Sequence, residues 1–231
     1  MKPLLEICTY TIDDCIEAQR GGAMRVELCT GMNDGGITPS YGTVINVRKC
    51  INMAMYVMIR PRGGNFVYNE HEIQIMIDDI RMAKHCGADG LVFGCLTADG
   101  EVNEDVCKLL MNEAKPLPVT FHRAFDKCNN PRQALEKIIE LGFLRLLTSG
   151  QQNTAEEGIT LLRQLVLQAE NRIIVMPGSG ITPDNIVKIA RETHAAEYHT
   201  SAQYVRGKGS DAATVAQCIK KIENIEFEKL Q

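Results

Sequence analysis

The stretch Glu17-Ala18-Gln19-Arg20-Gly21-Gly22-Ala23-Met24-Arg25-Val26-Glu27-Leu28-Cys29 holds the pattern on which this chain is built. A helix end runs through glycine and alanine into a short apolar strand, and the strand closes on an acid and a thiol. The passage is echoed at Ala83-Lys84-His85-Cys86-Gly87-Ala88-Asp89, which leads into Gly90-Leu91-Val92-Phe93-Gly94. Such echoes are what repeating βα units produce. Working outward, other apolar runs also end in polar residues: Glu6-Ile7-Cys8, Met58-Ile59-Arg60-Pro61-Arg62, Thr120-Phe121-His122-Arg123, Leu147-Thr148-Ser149-Gly150 and Tyr198-His199-Thr200-Ser201. Strand, polar end and helix in alternation describe a parallel α/β protein whose site gathers at the carboxyl ends of its strands.

The strand candidates are Leu4–Thr9, Met24–Cys29, Met55–Arg60, Gly90–Gly94, Pro118–His122, Arg145–Thr148, Arg172–Met176 and Glu197–Thr200. They are short and rich in Ile, Val and Leu, as strands buried on both faces are. Helical segments lie between them. Pro131 opens the helix Arg132–Glu140 and Gly142 ends it, an early proline and a late glycine. Thr154-Ala155-Glu156-Glu157 reads as a capping box, Pro183-Asp184-Asn185 as a helix start, and Asp211–Ile225 as the closing helix. Eight units fit 231 residues at about 29 residues each, near the ~30 that a βα unit needs. The expectation is a single-domain (β/α)8 TIM barrel of the α/β class over residues 1–231.

A formal net charge of −4 speaks against a general nucleic-acid surface, which needs a basic excess. No basic region followed by a long apolar stretch opens the chain, so no signal peptide is expected. No run reaches the ~20 apolar residues that span a bilayer. A soluble cytoplasmic protein without membrane or nucleic-acid partners is expected. The 9 cysteines are odd in number, scattered, and form no Cys-x-x-Cys. They read as reduced thiols in a reducing compartment, most of them small buried hydrophobes.

Strand alternation sorts the candidates for chemistry. Leu5 and Ile7 share one face, leaving Glu6 and Cys8 on the other. Val26 and Leu28 oppose Arg25, Glu27 and Cys29, and Val57 and Ile59 oppose Tyr56, Met58 and Arg60. With the apolar faces toward the helices, Glu6, Glu27, Arg60, His122 and His199 look into the barrel, as do Thr120, Glu197 and Ser201. Buried charges are costly unless paired, so a hydrogen-bonded cluster near the strand ends is expected, with Arg60 directed toward Glu27 and Glu6. That cluster either only neutralises itself or forms a catalytic set. Arg60 and Arg62, followed by Gly63-Gly64, could hold an anion bidentately or simply build a tight turn. Gly178-Ser179-Gly180 leaves the seventh strand, where barrels of this kind often bind phosphate, although the glycines alone also fit a plain turn. Cys8 and Cys29 end consecutive strands with the same parity. Two thiolates suit a soft ion such as Cu(I), with Met58 as a further thioether, and both also suit inert core positions.

Taken together these strings resemble the CutC-type copper homeostasis family. The resemblance rests on Arg25-Val26-Glu27-Leu28-Cys29-Thr30-Gly31 through Gly35-Gly36-Ile37-Thr38-Pro39-Ser40, and on Val57-Met58-Ile59-Arg60-Pro61-Arg62-Gly63-Gly64. It continues through Gly87–Gly94, Leu117–Asp126, Leu147–Gly150 and Val175–Ile181, and runs from Met1 to about Ala202. It implies a (β/α)8 barrel, a cytoplasmic location, self-association as a homo-oligomer (dimer or tetramer) and a role in copper handling, with Cys8 and Cys29 as the copper thiols. One departure is the passage after Ala202 through Gly207-Lys208-Gly209 into the last helix, shorter than family members usually carry. Two functions compete: a Cu(I)-binding protein, and a barrel enzyme acting on a small anionic or phosphorylated substrate. In the second, Arg60, Arg62 and Gly178–Gly180 hold the anion while Glu6, Glu27 or His122 moves protons. A structural oligomer without chemistry is a third.

Overall fold

The computed structural model describes residues 3–203 and 209–225; Gly207 and Lys208, expected to lead into the last helix, lie outside them. Eight parallel strands alternate with helices. They are β1 Leu4–Thr9, β2 Arg25–Leu28, β3 Ala54–Met58, β4 Gly90–Phe93, β5 Val119–Phe121, β6 Arg145–Thr148, β7 Ile174–Pro177 and β8 Glu197–Thr200. The helices are α1 Ile12–Arg20, α2 Tyr41–Cys50, α3 Glu70–His85, α4 Glu104–Ala114, α5 Pro131–Glu140, α6 Ile159–Ala169, α7 Ile186–Thr193 and α8 Ala212–Glu223. Hydrogen-bonded neighbours run from β7 down to β1 and on to β8, and a parallel bridge between Gly178 and His199 joins the two edges. The result is the expected (β/α)8 barrel. Among the described residues no helix is long and apolar enough to cross a membrane.

Side chains that seal a helix start are the polar ones the helix leaves behind. Thr11, Ser40, Asn69, Asn103, Asn130 and Asp211 each accept a backbone N–H from the first turn, worth ~1 kcal/mol apiece. The expected box at Thr154 and Glu157 forms both reciprocal bonds. It closes a turn rather than a helix, because α6 begins only at Ile159 behind Gly158. There the chain crosses itself: a Cβ on Gly158 would lie 1.8 Å from the carbonyl oxygen of Ser149, so only glycine fits.

Several strands are a residue shorter than their composition suggests, and two differ by two residues at one end. β3 stops at Met58, not Arg60, and β7 starts at Ile174, not Arg172. Arg172 still belongs to the turn after α6, where its N–H donates to the Ala169 carbonyl and its guanidinium meets Glu136. The outward faces, with Leu5, Ile7, Val26, Leu28, Val57, Leu91, Phe93 and Leu146, join the helices in the main apolar core. A separate apolar cluster of Cys8, Cys29, Tyr56, Met58 and Val92 fills the barrel interior. The two-residue alternation of the strands therefore becomes an oily jacket around a mixed interior.

Candidate functional site

The lower interior is an ion network. Arg25 on β2 pairs with Glu6 on β1 through Nε and with Glu197 on β8 through Nη2. Arg145 on β6 donates to Glu197 from Nε at 2.7 Å and to the Tyr56 hydroxyl from Nη1 at 2.9 Å. Both guanidiniums stand over the Tyr56 ring, 5.1 and 5.2 Å from its centroid. Glu6 is fully buried. Such charges persist in a barrel centre only because each has opposite partners. Burial alone would raise Glu197, yet Arg25 and Arg145 hold it below the usual carboxylate range. This layer neutralises itself and does not line the cavity at the carboxyl ends of the strands.

One layer up, toward the carboxyl ends, the interior changes character. Glu27 on β2 and His199 on β8 meet with Oε2 and Nε2 3.0 Å apart, and Glu6 Oε1 lies 3.7 Å from the same nitrogen. Cys29 donates its thiol toward Glu27 Oε2 at 3.6 Å. The Cys8 sulfur, a Glu27 carboxylate oxygen and a His199 ring nitrogen all lie within 4.8 Å of one another, and all three residues are buried. Burial would depress His199, but the Glu27 carboxylate and the Cys8 thiol raise it well above the ordinary histidine value. Burial would likewise raise Glu27, but the charge and hydrogen bond of His199 bring it down. The Cys29 hydrogen bond lowers the Cys8 thiol against its burial, while that same bond and burial push Cys29 well up. The two thiols are therefore unequal, and Cys8 is the one disposed to lose its proton.

Above this layer opens a cavity of about 670 Å³, lined by residues that include Cys8, Glu27, Met58, Arg60, His122 and His199. His122 follows β5 and accepts the Ala124 N–H at Nδ1, 3.3 Å away. Burial first, and the Arg60 charge second, push its pKa down to about 3, so it is neutral. Arg60 donates from Nη1 to the carbonyls of Asp34 at 2.8 Å and Gly36 at 2.9 Å, and from Nη2 to that of Gly64 at 2.9 Å. Its guanidinium stacks on Phe66, 4.7 Å from the ring centroid.

The sequence candidates divide accordingly. Glu27, His122, His199 and Cys8 reach the cavity wall, while Glu6 lies beneath it and Cys29 stands behind Cys8 and Glu27. Arg60 also lines the wall, but it differs from the expectation: it ties two loops together by their carbonyls and does not pair with Glu27 or Glu6. Arg62 turns to Glu72, Gly63, Asn65 and Val67 and is not part of the wall. Gly178 joins β7 to β8 at the barrel seam, and Ser179 and Gly180 line the mouth.

Three arginines that sequence patterns do not mark as site residues hold the interior and the cavity mouth. Arg25 lies on the inward face by parity and opposite Glu6 on the neighbouring strand, but its pairing with Glu197 needs the last strand beside the first. Arg145 opens a strand and has no alternating neighbour to mark it. Arg123 lies in a short 3-10 turn, Arg123–Lys127, with no periodic signal. It donates from Nε to Asp126 Oδ2 at 2.7 Å and from Nη2 to Ser149 Oγ at 2.9 Å, at the cavity mouth. Asp126 in turn accepts from Thr148 Oγ1 at 2.5 Å and from the Gln151 N–H at 3.2 Å, which fixes the arginine's support.

Comparison with known proteins places this geometry in company. The model of the CutC family matches residues 3–204. A human copper homeostasis protein cutC homolog is 49% identical over 206 residues, covering 89% of this chain and 76% of the relative. A CutC family protein of Bacteroides thetaiotaomicron is 52% identical over 199 residues, covering 86% of this chain and 80% of the relative. The crystal structure of a CutC protein from Streptococcus agalactiae superposes with a TM-score of 0.83 at 35% identity, covering 86% of this chain and 98% of that one. Thiamine phosphate pyrophosphorylase from Pyrococcus furiosus shares the fold alone, with a TM-score of 0.65 at 16% identity over 95% of each chain.

Proposed function

Since the chain belongs to the CutC family, we propose that it serves copper homeostasis by holding Cu(I) at the thiols of Cys8 and Cys29 in the barrel mouth. The observation that carries this reading is the Cys8 sulfur on the cavity wall, its pKa lowered by Cys29 beside it. Cu(I) prefers soft, deprotonated sulfur and accepts imidazole nitrogen, and this wall offers Cys8 and Met58, with His199 once it gives up its proton. Cys29, next to Cys8, supplies the second thiol and releases its proton when the ion binds. Glu27, bonded to His199, orients the imidazole as supporting carboxylates do in metal sites. The ion is cargo here.

The cytoplasm suits this chemistry, because all nine cysteines are free thiols and eight of them are buried. Self-association into a dimer or tetramer belongs to the same proposal and is read by sedimentation velocity.

The test is an anaerobic Cu(I) titration of the reduced protein against a chromogenic chelator. One tightly held ion per chain is expected, and Cys8→Ser should weaken it by more than the ~10–100-fold that loss of a supporting residue costs. Equal affinity in the native protein and in the Cys8→Ser, Cys29→Ser double variant would overturn the assignment.

A further inference from the structure

The cavity is larger than copper needs. About 670 Å³ falls inside the ~300–1,000 Å³ of sites that enclose small organic molecules. Three residues of its wall each carry a buried polar atom with no hydrogen-bond partner in the protein: Glu27 Oε1, Arg60 Nε and His122 Nε2. The three residues are 2%, 5% and 3% exposed. A buried donor or acceptor left unpaired is costly, so atoms of this kind mark a place for a partner.

Their chemistry defines what that partner offers. His122 accepts the Ala124 N–H at Nδ1, so its proton sits on Nε2, which becomes a donor. Arg60 Nε–H is a second donor, and Glu27 Oε1 is an acceptor. Two donors and one acceptor suit a carbonyl oxygen beside a hydroxyl group. At the mouth the wall carries Arg123, held by Asp126 and Ser149, together with Thr154, Ser179, Gly180 and Thr182. A guanidinium that shares one cavity wall with hydroxyl-bearing residues and a glycine turn suits a phosphate monoester.

We propose that the cavity binds a small phosphorylated hydroxycarbonyl compound, its phosphate at Arg123 and its carbonyl and hydroxyl groups at His122, Arg60 and Glu27. This site shares the cavity and Glu27 with the copper thiols, but its ligand need not contain or carry metal.

Calorimetric titration of the reduced, copper-free protein with dihydroxyacetone phosphate, inorganic phosphate and dihydroxyacetone tests it. The first should bind saturably at one per chain, at least about tenfold more tightly than either fragment, a difference of ~1.4 kcal/mol. Inorganic phosphate should displace it competitively in the native protein, a measurement that needs no variant. Arg123→Met should weaken both phosphate compounds at least about tenfold. His122→Gln should weaken dihydroxyacetone phosphate and spare inorganic phosphate. Arg172→Met, which removes a surface arginine paired with Glu136, should change neither. Absence of dihydroxyacetone phosphate binding, affinity no better than that of inorganic phosphate, or undiminished binding in Arg123→Met would overturn the proposal. None of these results bears on Cu(I) binding, which is measured separately.

Discussion

Glu27 and His199 are 172 positions apart in sequence, yet their Oε2 and Nε2 atoms lie 3.0 Å apart inside the barrel. They come from β2 and β8, the two strands that flank β1, so pairing of the last strand with the first brings them together. The contact is therefore both a product of the fold and a clamp upon it. It also sets the charge beside the Cys8 sulfur.

Removing both members of this pair should cost less than the two single removals added together. Glu27→Leu leaves a buried imidazole without its counter-charge, and a loss of about 3–5 kcal/mol is expected. The double variant Glu27→Leu, His199→Leu should lose less than the sum of the single losses, by at least ~1 kcal/mol. Urea unfolding of the four proteins reads this coupling, and strict additivity would show that the two groups do not support each other.

Arg25 and Arg60 should behave differently although both are buried arginines. Arg25→Met strips Glu6 and Glu197 of a shared partner in the closed interior, with an expected loss of about 3–5 kcal/mol. Arg60→Met frees three carbonyls in loops at the mouth, and water can reach groups there once the side chain is shortened. Its expected loss is smaller, about 1–3 kcal/mol. A larger loss at Arg60 would mean that the loops, and not the ion network, hold the barrel together.

His122 should make stability depend on pH. Its folded pKa is depressed to about 3 by burial and by Arg60, whereas an unfolded histidine titrates near ~6.5. Between these values the unfolded chain binds the extra proton, so this contribution is complete above the unfolded pKa and is lost as pH falls toward the folded one. From pH 7.5 to pH 5.0 (round values chosen on either side of ~6.5) the native protein should lose ~2 kcal/mol more than His122→Gln. Parallel pH dependence of the two proteins in denaturant unfolding would contradict a neutral buried His122.

Much of this was legible in the chain. The glycine-alanine passages and short polar-ended runs gave the barrel, and alternation along β1, β2 and β8 put Glu6, Cys8, Glu27 and His199 inside. Arg60 does face the cavity, but carbonyls of the loops replace its expected carboxylate partners because β3 ends at Met58; two residues past a strand end, alternation no longer says what a side chain meets. The pairing of Arg25 with Glu197 depends on ring closure between the first and last strands, which no local pattern encodes. Arg123 and Asp126 sit in an irregular turn, and Arg62 found its partner on α3 at Glu72, where a surface salt bridge leaves no distinctive motif.

In the proposed site, sulfur from Cys8 and Cys29 holds the copper ion. X-ray absorption at the copper edge of the Cu(I)-loaded, reduced protein tests it most directly. The account predicts a sulfur-dominated copper environment in the native protein that loses its sulfur scattering in the Cys8→Ser, Cys29→Ser variant. A copper spectrum of nitrogen and oxygen alone, or one identical in the native and doubly substituted proteins, would contradict it.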